Sequence, residues 1–213
     1  METNKFKYPR TPHLPWSSGN TDDDIMLLNT KHFEGKEVVI TEKLDGENTT
    51  MYMDYMHARS INNRPHASRE WVKKMHASIS YLIPCGWRLC GENVYARHSI
   101  AYDHLESYFY LFSIWNDQNV CLDWAQTLEW AELLGLKTPK KFYCGVWNEK
   151  LISQLPIDTV HCEGYVVRTT ESFSYDEFNY HIAKWVRKEH VMTNDEHWMN
   201  KEVIPNLLAK DNV

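Results

Sequence analysis

The chain has 213 residues, enough for one large domain, and a formal net charge of −6, with 23 Lys and Arg against 29 Asp and Glu. At 43% hydrophobic and 13% aromatic, with nine Trp and twelve Tyr, it can bury a substantial core, which excludes a disordered chain. No apolar run approaches the ~20 residues of a membrane span, and the acidic balance excludes a general polycation, so a nucleic-acid partner would have to use local basic surface.

Residues 8–20 hold three prolines and no periodicity, so residues 1–20 are expected to form an irregular arm or lid. Thr21, Asp22, Asp23 and Asp24 suit the N-terminus of a short helix reaching about residue 30. Strands are predicted at 36–43 and 49–55. Ser68 is the expected cap of a helix over 69–82, closed by Pro84, with Trp71, Met75 and Ile79 as its buried stripe. Strands follow at 88–95 and 108–115. A helix over 123–134, with Gly135 near its end, places Trp124, Leu128, Ala131 and Leu134 on one buried face. The remaining predictions are a strand at 142–147, a short helix at 148–154, strands at 165–168 and 182–186, and a helical end over 193–208 interrupted by Pro205. Strands and helices mix without regular alternation, which predicts an α+β fold of antiparallel sheets flanked by helices, in a single unit with no sizeable C-terminal domain. Cysteines at 85, 90, 121, 144 and 162 are odd in number and lack Cys-x-x-Cys spacing, so buried thiols are expected rather than zinc or a disulfide framework. The first residues show no apolar leader, so a cytosolic protein is expected.

The most informative run is Val38, Val39, Ile40, Thr41, Glu42, Lys43, Leu44, Asp45 and Gly46. A β-branched stretch ends in a primary amine, and a bend with a carboxylate follows at once. A lysine nucleophile needs such a place: rigid, partly desolvated and close to charge that tunes its proton affinity. Gly46 would let the backbone turn and a ligand approach closely. The tetrapeptide alone equally describes a strand ending in a surface lysine and a tight turn, so context decides. Basic residues cluster at Arg59, Arg64, Arg69, Lys73 and Lys74, and again at Lys184, Arg187 and Lys188, either as solvated faces or as phosphate tracks.

Over residues 38–190 the chain resembles the RNA ligases of the covalent nucleotidyltransferase superfamily, which share a lysine–nucleotide mechanism with DNA ligases and capping enzymes. Lys43-Leu44-Asp45-Gly46-Glu47-Asn48 resembles the first motif of that family, whose lysine is adenylated. Arg59 sits where the family places a phosphate-binding arginine. Glu92, after Gly91, matches the glutamate that holds the ribose hydroxyls, and Phe112 the aromatic that stacks on the purine. Glu163-Gly164-Tyr165-Val166-Val167-Arg168 resembles the motif whose glutamate engages metal, and Lys184 the first lysine of the fifth motif. The resemblance implies an ATP-grasp-like nucleotidyltransferase domain with Lys43, Glu163 and Lys184 as catalytic residues. It implies ATP contacts from Glu42, Asn48, Arg59, Glu92, Phe112, Lys184 and Arg187, and Mg²⁺ or Mn²⁺ held by Glu163 and Asp45. The partners implied are RNA 5′-phosphate and 3′-hydroxyl ends, in a nicked duplex or as single strands, with no membrane and no obligate protein partner.

Elementary chemistry fits these assignments. An attacking amine must be neutral, so the Lys43 value is expected to fall from ~10.4 under burial, nearby Arg59 and Lys184, and a metal that neutralises Glu163. The chain departs from the family where Val186 replaces a second lysine of the fifth motif; Arg187 or Lys188 is the expected substitute. Asn48 stands where DNA ligases and capping enzymes usually carry Arg, which favours RNA joining over a DNA ligase or a GTP-dependent capping-type enzyme. The reading from another class is a non-catalytic binder of nucleotides or RNA ends. Residues 57–76 and the 8–20 arm are the candidate RNA-docking segments.

Overall fold

The structure, a computed structural model, describes residues 4–19, 24–61, 65–188 and 202–209. In chain order it contains β1 (Glu37–Lys43), β2 (Glu47–Met51), β3 (Met56–Ala58), α1 (Glu70–Ile79), β4 (Arg88–Asn93), β5 (Phe109–Trp115), β6 (Val120–Cys121) and α2 (Trp124–Leu133). These are followed by β7 (Lys141–Val146), α3 (Glu149–Ile152), β8 (Gly164–Thr169), β9 (Phe173–Ser174), α4 (Phe178–His181) and β10 (Ile182–Val186).

Two antiparallel sheets organise the molecule, one ordered β10-β8-β1-β7 and the other β3-β2-β4-β5-β6-β9. Strand alternation decides which face each residue serves. In the first sheet Val38 and Ile40, Tyr165 and Val167, and Ala183 turn to a core with Leu14, Phe33, Trp147 and Ile152. Their neighbours Val39, Thr41, Lys43, Val166, Arg168, Ile182 and Lys184 turn to the opposite face. Ile40 is fully buried, and its truncation to Ala would cost about 2–5 kcal/mol. The second sheet packs Met51, Leu89, Phe109, Leu111 and Ile114 against Val72 and Ile79 of α1 and Ala131 of α2. A third cluster, with Cys90, Trp115, Cys121, Phe173, Phe178 and Ile182, joins the two sheets.

The predicted strands and the two long helices are present, with local differences. β2 begins at Glu47 and stops at Met51, because Tyr52 N–H turns back to the Tyr55 carbonyl. α1 starts at Glu70 after a single 3₁₀ turn, Ala67–Arg69, and Ser68 is capped there by His66 rather than acting as the cap. On α2, Leu128 is 40% exposed, whereas Trp124, Ala131 and Leu134 are buried. Cys90, Cys121 and Cys162 are buried free thiols, but Cys85 and Cys144 are exposed.

The arm has no regular element beyond an isolated bridge at His13, but it is pinned to β10. Lys184 N–H donates to Pro12 O (2.9 Å) and Leu14 N–H to Lys184 O (2.8 Å), so the arm lies parallel along β10. The helix expected after Thr21 is absent from residues 24–30, which pair instead with the arm through His13 and Met26; positions 21–23 lie outside the described residues. The helical end is likewise not found in residues 202–209, which bridge Ala96 and Leu105, and residues 193–201 lie outside the described residues. In both places a free sheet edge or loop satisfies the backbone better than an isolated short helix.

Candidate active site

Strand register brings the distant motifs together. β1 pairs with β8 so that Lys43 lies opposite Gly164, which puts Glu163 beside the amine. β8 pairs with β10 so that Val166 lies opposite Lys184. The Leu44–Gly46 bend then carries the chain into β2 of the second sheet, where Asn48 lies opposite Glu92. Gly46 has ordinary backbone angles; its necessity is space, since a Cβ would come within 2.4 Å of Asn93 O. Gly164 is required in the same way, by Trp185 O at 2.0 Å from its would-be Cβ.

A cavity of about 510 Å³ opens between the sheets. Glu42, Lys43, Asn48, Arg59, Glu92, Phe112 and Lys184 all line it. Its walls divide by chemistry: Tyr8, Val39, Phe112, Trp124, Val166 and Ile182 are apolar or aromatic, while Asn48, Arg59, Arg69, Glu92, His98 and Lys184 are polar. Glu163 is 2% exposed, and Lys43 Nζ donates to its Oε2 at 2.5 Å. Asn48 Oδ1 is buried with no hydrogen-bond partner among the described residues.

Burial alone pushes the Lys43 amine down, but Glu163, Glu92 and Asp45 outweigh it and hold the amine above the ordinary lysine value. The expected fall is therefore overturned for the protein alone, because three carboxylates surround one ammonium. Glu92 pays the complementary penalty: burial, with Glu163 and Asp45, raises it to about 8 against the pull of Lys43, so it is protonated at neutral pH. Burial and the Lys43 charge lower Lys184, with Arg59 adding to the effect and Asp24 and Glu163 opposing it.

The family model for RNA ligase matches residues 36–186. The chain belongs to the RNA ligase family. Similar solved structures include an archaeal ATP-dependent RNA ligase (12% identity, TM-score 0.58, covering 84% of this chain and 48% of that one). The Naegleria gruberi RNA ligase with PPi is also similar, at 21% identity and TM-score 0.54, covering 74% of this chain and 51% of that one. So is a variant of the Naegleria enzyme with ATP and Mn, at 19% identity and TM-score 0.53. These likenesses are of fold, and the chain spans about half the length of the structures it matches. No curated relative matches.

Against the RNA ligase motifs two residues change place. Asp45 does not line the cavity; it is 6% exposed, and its Oδ2 accepts from Ser99 N–H, Ser99 Oγ–H and Ile100 N–H at 2.8, 2.6 and 2.9 Å. An oxygen so engaged clamps the bend to the 99–100 loop and is poorly placed as a metal ligand. Arg187 also stays out of the cavity, because its guanidinium donates to Thr159 O. The 57–76 segment is no continuous track: Arg59 and Arg69 face the cavity, Arg69 is paired with Glu47, Lys73 is paired with Glu70, and Arg64 lies outside the described residues. Arg168 was missed. It lines the cavity, donates to Phe112 O (3.2 Å) and leaves a buried Nε–H unpartnered among the described residues. Its signal was its spacing, two residues beyond Val166 on the same strand face.

Proposed function

We propose that this chain is an ATP-dependent RNA ligase that carries AMP on Lys43 and joins RNA 5′-phosphate to 3′-hydroxyl ends. The observation that carries the reading is one amine, Lys43, held 2.5 Å from a buried carboxylate in a cavity also lined by Glu92, Phe112, Arg59 and Lys184. The Lys43 nitrogen attacks the α-phosphorus of ATP; an N–P bond forms as the bond to pyrophosphate breaks. Phe112 and Val166, on opposite sheets, offer apolar faces for the adenine, and Glu42 contacts its edge. Glu92, protonated and beside the open acceptor of Asn48, matches the hydroxyls of a ribose. Arg59 and Lys184 offset phosphate charge as it redistributes. AMP then passes to an RNA 5′-phosphate, and a 3′-hydroxyl displaces it.

Glu163 is the residue that would hold Mg²⁺ or Mn²⁺. Its oxygens are hard donors, and no group of three or more His, Cys, Asp or Glu among the described residues could cage a metal. That suits a cation that takes one or two carboxylates plus substrate phosphate and water. When bound, it supplies positive charge that weakens the hold of Glu163 on the Lys43 proton and stabilises the phosphoryl oxygens. The five free cysteines support a reducing, cytosolic setting.

Mass spectrometry of the purified protein with magnesium and ATP tests the reading. It expects a gain of one AMP that is lost in Lys43→Ala. No adduct with any nucleoside triphosphate would leave only a binding protein, and an adduct with GTP alone would indicate a capping-type enzyme.

A further inference from the structure

The arm and the segment after it converge on Lys184 through residues that no motif includes. The arm lies between β10 and residues 25–27: His13 N–H donates to Ile25 O (2.7 Å), and Leu27 N–H to His13 O (2.9 Å). His13 is in parallel register with Lys184 on one side and Met26 on the other. It is 1% exposed, so its ring is fixed by packing.

The surrounding hydrogen bonds accommodate the Nε2–H tautomer of that ring. Ser17 Oγ accepts from Val186 N–H at 2.9 Å, so the Ser17 hydroxyl proton is free to point at His13 Nδ1, 2.8 Å away. Nδ1 is then the acceptor, and the ring proton sits on Nε2. Nε2 lies 3.4 Å from Asp24 Oδ2 without making a hydrogen bond to it, and the other oxygen of the same carboxylate lies 3.6 Å from Lys184 Nζ. Burial and the charges of Lys184 and Lys43 lower His13 to about 4 against the pull of Asp24, so at neutral pH it packs beside the carboxylate without adding a second positive charge. Asp24 is not among the residues lining the cavity, whereas Lys184 is, and the Asp24 charge also acts on Arg59 in the cavity wall.

We propose that Asp24 and His13 are positioning residues that hold the Lys184 ammonium in place for the α-phosphate. The proposal rests on the ligase reading above. A lysine side chain is a flexible point charge with four rotatable bonds, and Lys43 and Arg59 both repel this one. A carboxylate packed against a buried neutral ring and 3.6 Å from the ammonium restrains it where those charges would otherwise push it away, so the restraint acts on the transition state more than on nucleotide capture.

Single-turnover adenylation of the full chain with labelled ATP and magnesium tests this. Asp24→Asn is expected to slow the adenylation step by about 10-fold or more, with half-saturation by ATP moving less than about threefold. Asp24→Glu and His13→Gln, which keep a carboxylate and an Nε2-like donor, should recover activity relative to Asp24→Asn and His13→Ala. In a Lys184→Ala background Asp24→Asn should cost nothing further. Melting curves monitor folding, and if Asp24→Asn unfolds, the comparison of His13→Gln with His13→Ala carries the test. An unchanged or faster step in Asp24→Asn, or additivity with Lys184→Ala, overturns the positioning role while the ligase reading stands. A wild-type protein that forms no adduct overturns the ligase reading itself.

Discussion

Replacing Glu163 by Gln separates two consequences of the pair at the centre of the site. Lys43 Nζ lies 2.5 Å from Glu163 Oε2, with side-chain exposures of 23% and 3%. An amine held at or above ~10.4 is neutral in no more than about one molecule in a thousand at pH 7.4. An opposite charge at contact range is worth ~1–3 pKa units. With that charge removed, burial is opposed by Glu92 and Asp45 alone, so the Lys43 value should drop by about that amount and the neutral fraction rise ~10- to 1,000-fold. Adenylation should nonetheless fall by ~100-fold or more, because the variant loses the carboxylate proposed to hold the metal. The amine is read without metal or nucleotide, by labelling lysines with an amine-reactive reagent across pH and quantifying the Lys43 peptide against exposed Lys150. The midpoint for Lys43 should move to lower pH in Glu163→Gln while adduct formation drops. A midpoint that stays or rises would refute the claim that Glu163 controls this proton.

Three further outcomes follow from the geometry. Phe112→Ala should raise the ATP concentration for half-maximal adenylation by ~5- to 150-fold, the equivalent of ~1–3 kcal/mol of lost base stacking, with Phe112→Leu intermediate. Asp45→Ala removes the acceptor of three hydrogen bonds from residues 99 and 100 and should destabilise the fold by about 3 kcal/mol, lowering the melting temperature by ~6–12 °C while leaving the magnesium requirement unchanged. A large change in magnesium dependence would return Asp45 to the metal. Glu92, raised to about 8 when folded, keeps a proton that the unfolded chain releases near 4.5. Its contribution to stability is thus complete below about pH 4.5 and declines as pH rises to about 8. Glu92→Gln should flatten that decline in melting experiments between pH 5 and 8.

Much of the fold was legible because the strands are runs of β-branched, aromatic and other apolar residues. Val38, Val39, Ile40 and Thr41 read as a strand, and the structure puts every second residue on the core. The helices at α1 and α2 were legible from period and caps, with Asp123 accepting from Gln126 N–H as the cap of α2. The segments misread as helix, residues 24–30 and 202–209, are short, and each took an extended path along an existing edge or loop. Local propensity does not record which edge lies open to a segment.

The sequence by itself determined the strand that ends in the proposed nucleophile Lys43 and the alternation that sends Lys43, Val166 and Lys184 to one face, since these depend on neighbours within a few residues. Tertiary structure alone decided that Asp45 clamps a loop, that Arg187 turns away to Thr159, that Arg168 backs Phe112, and that His13 and Asp24 reach Lys184. Each of those contacts joins residues many positions apart. Register between strands and the path of the arm create them, and a one-residue slip would send the same side chains to the opposite face.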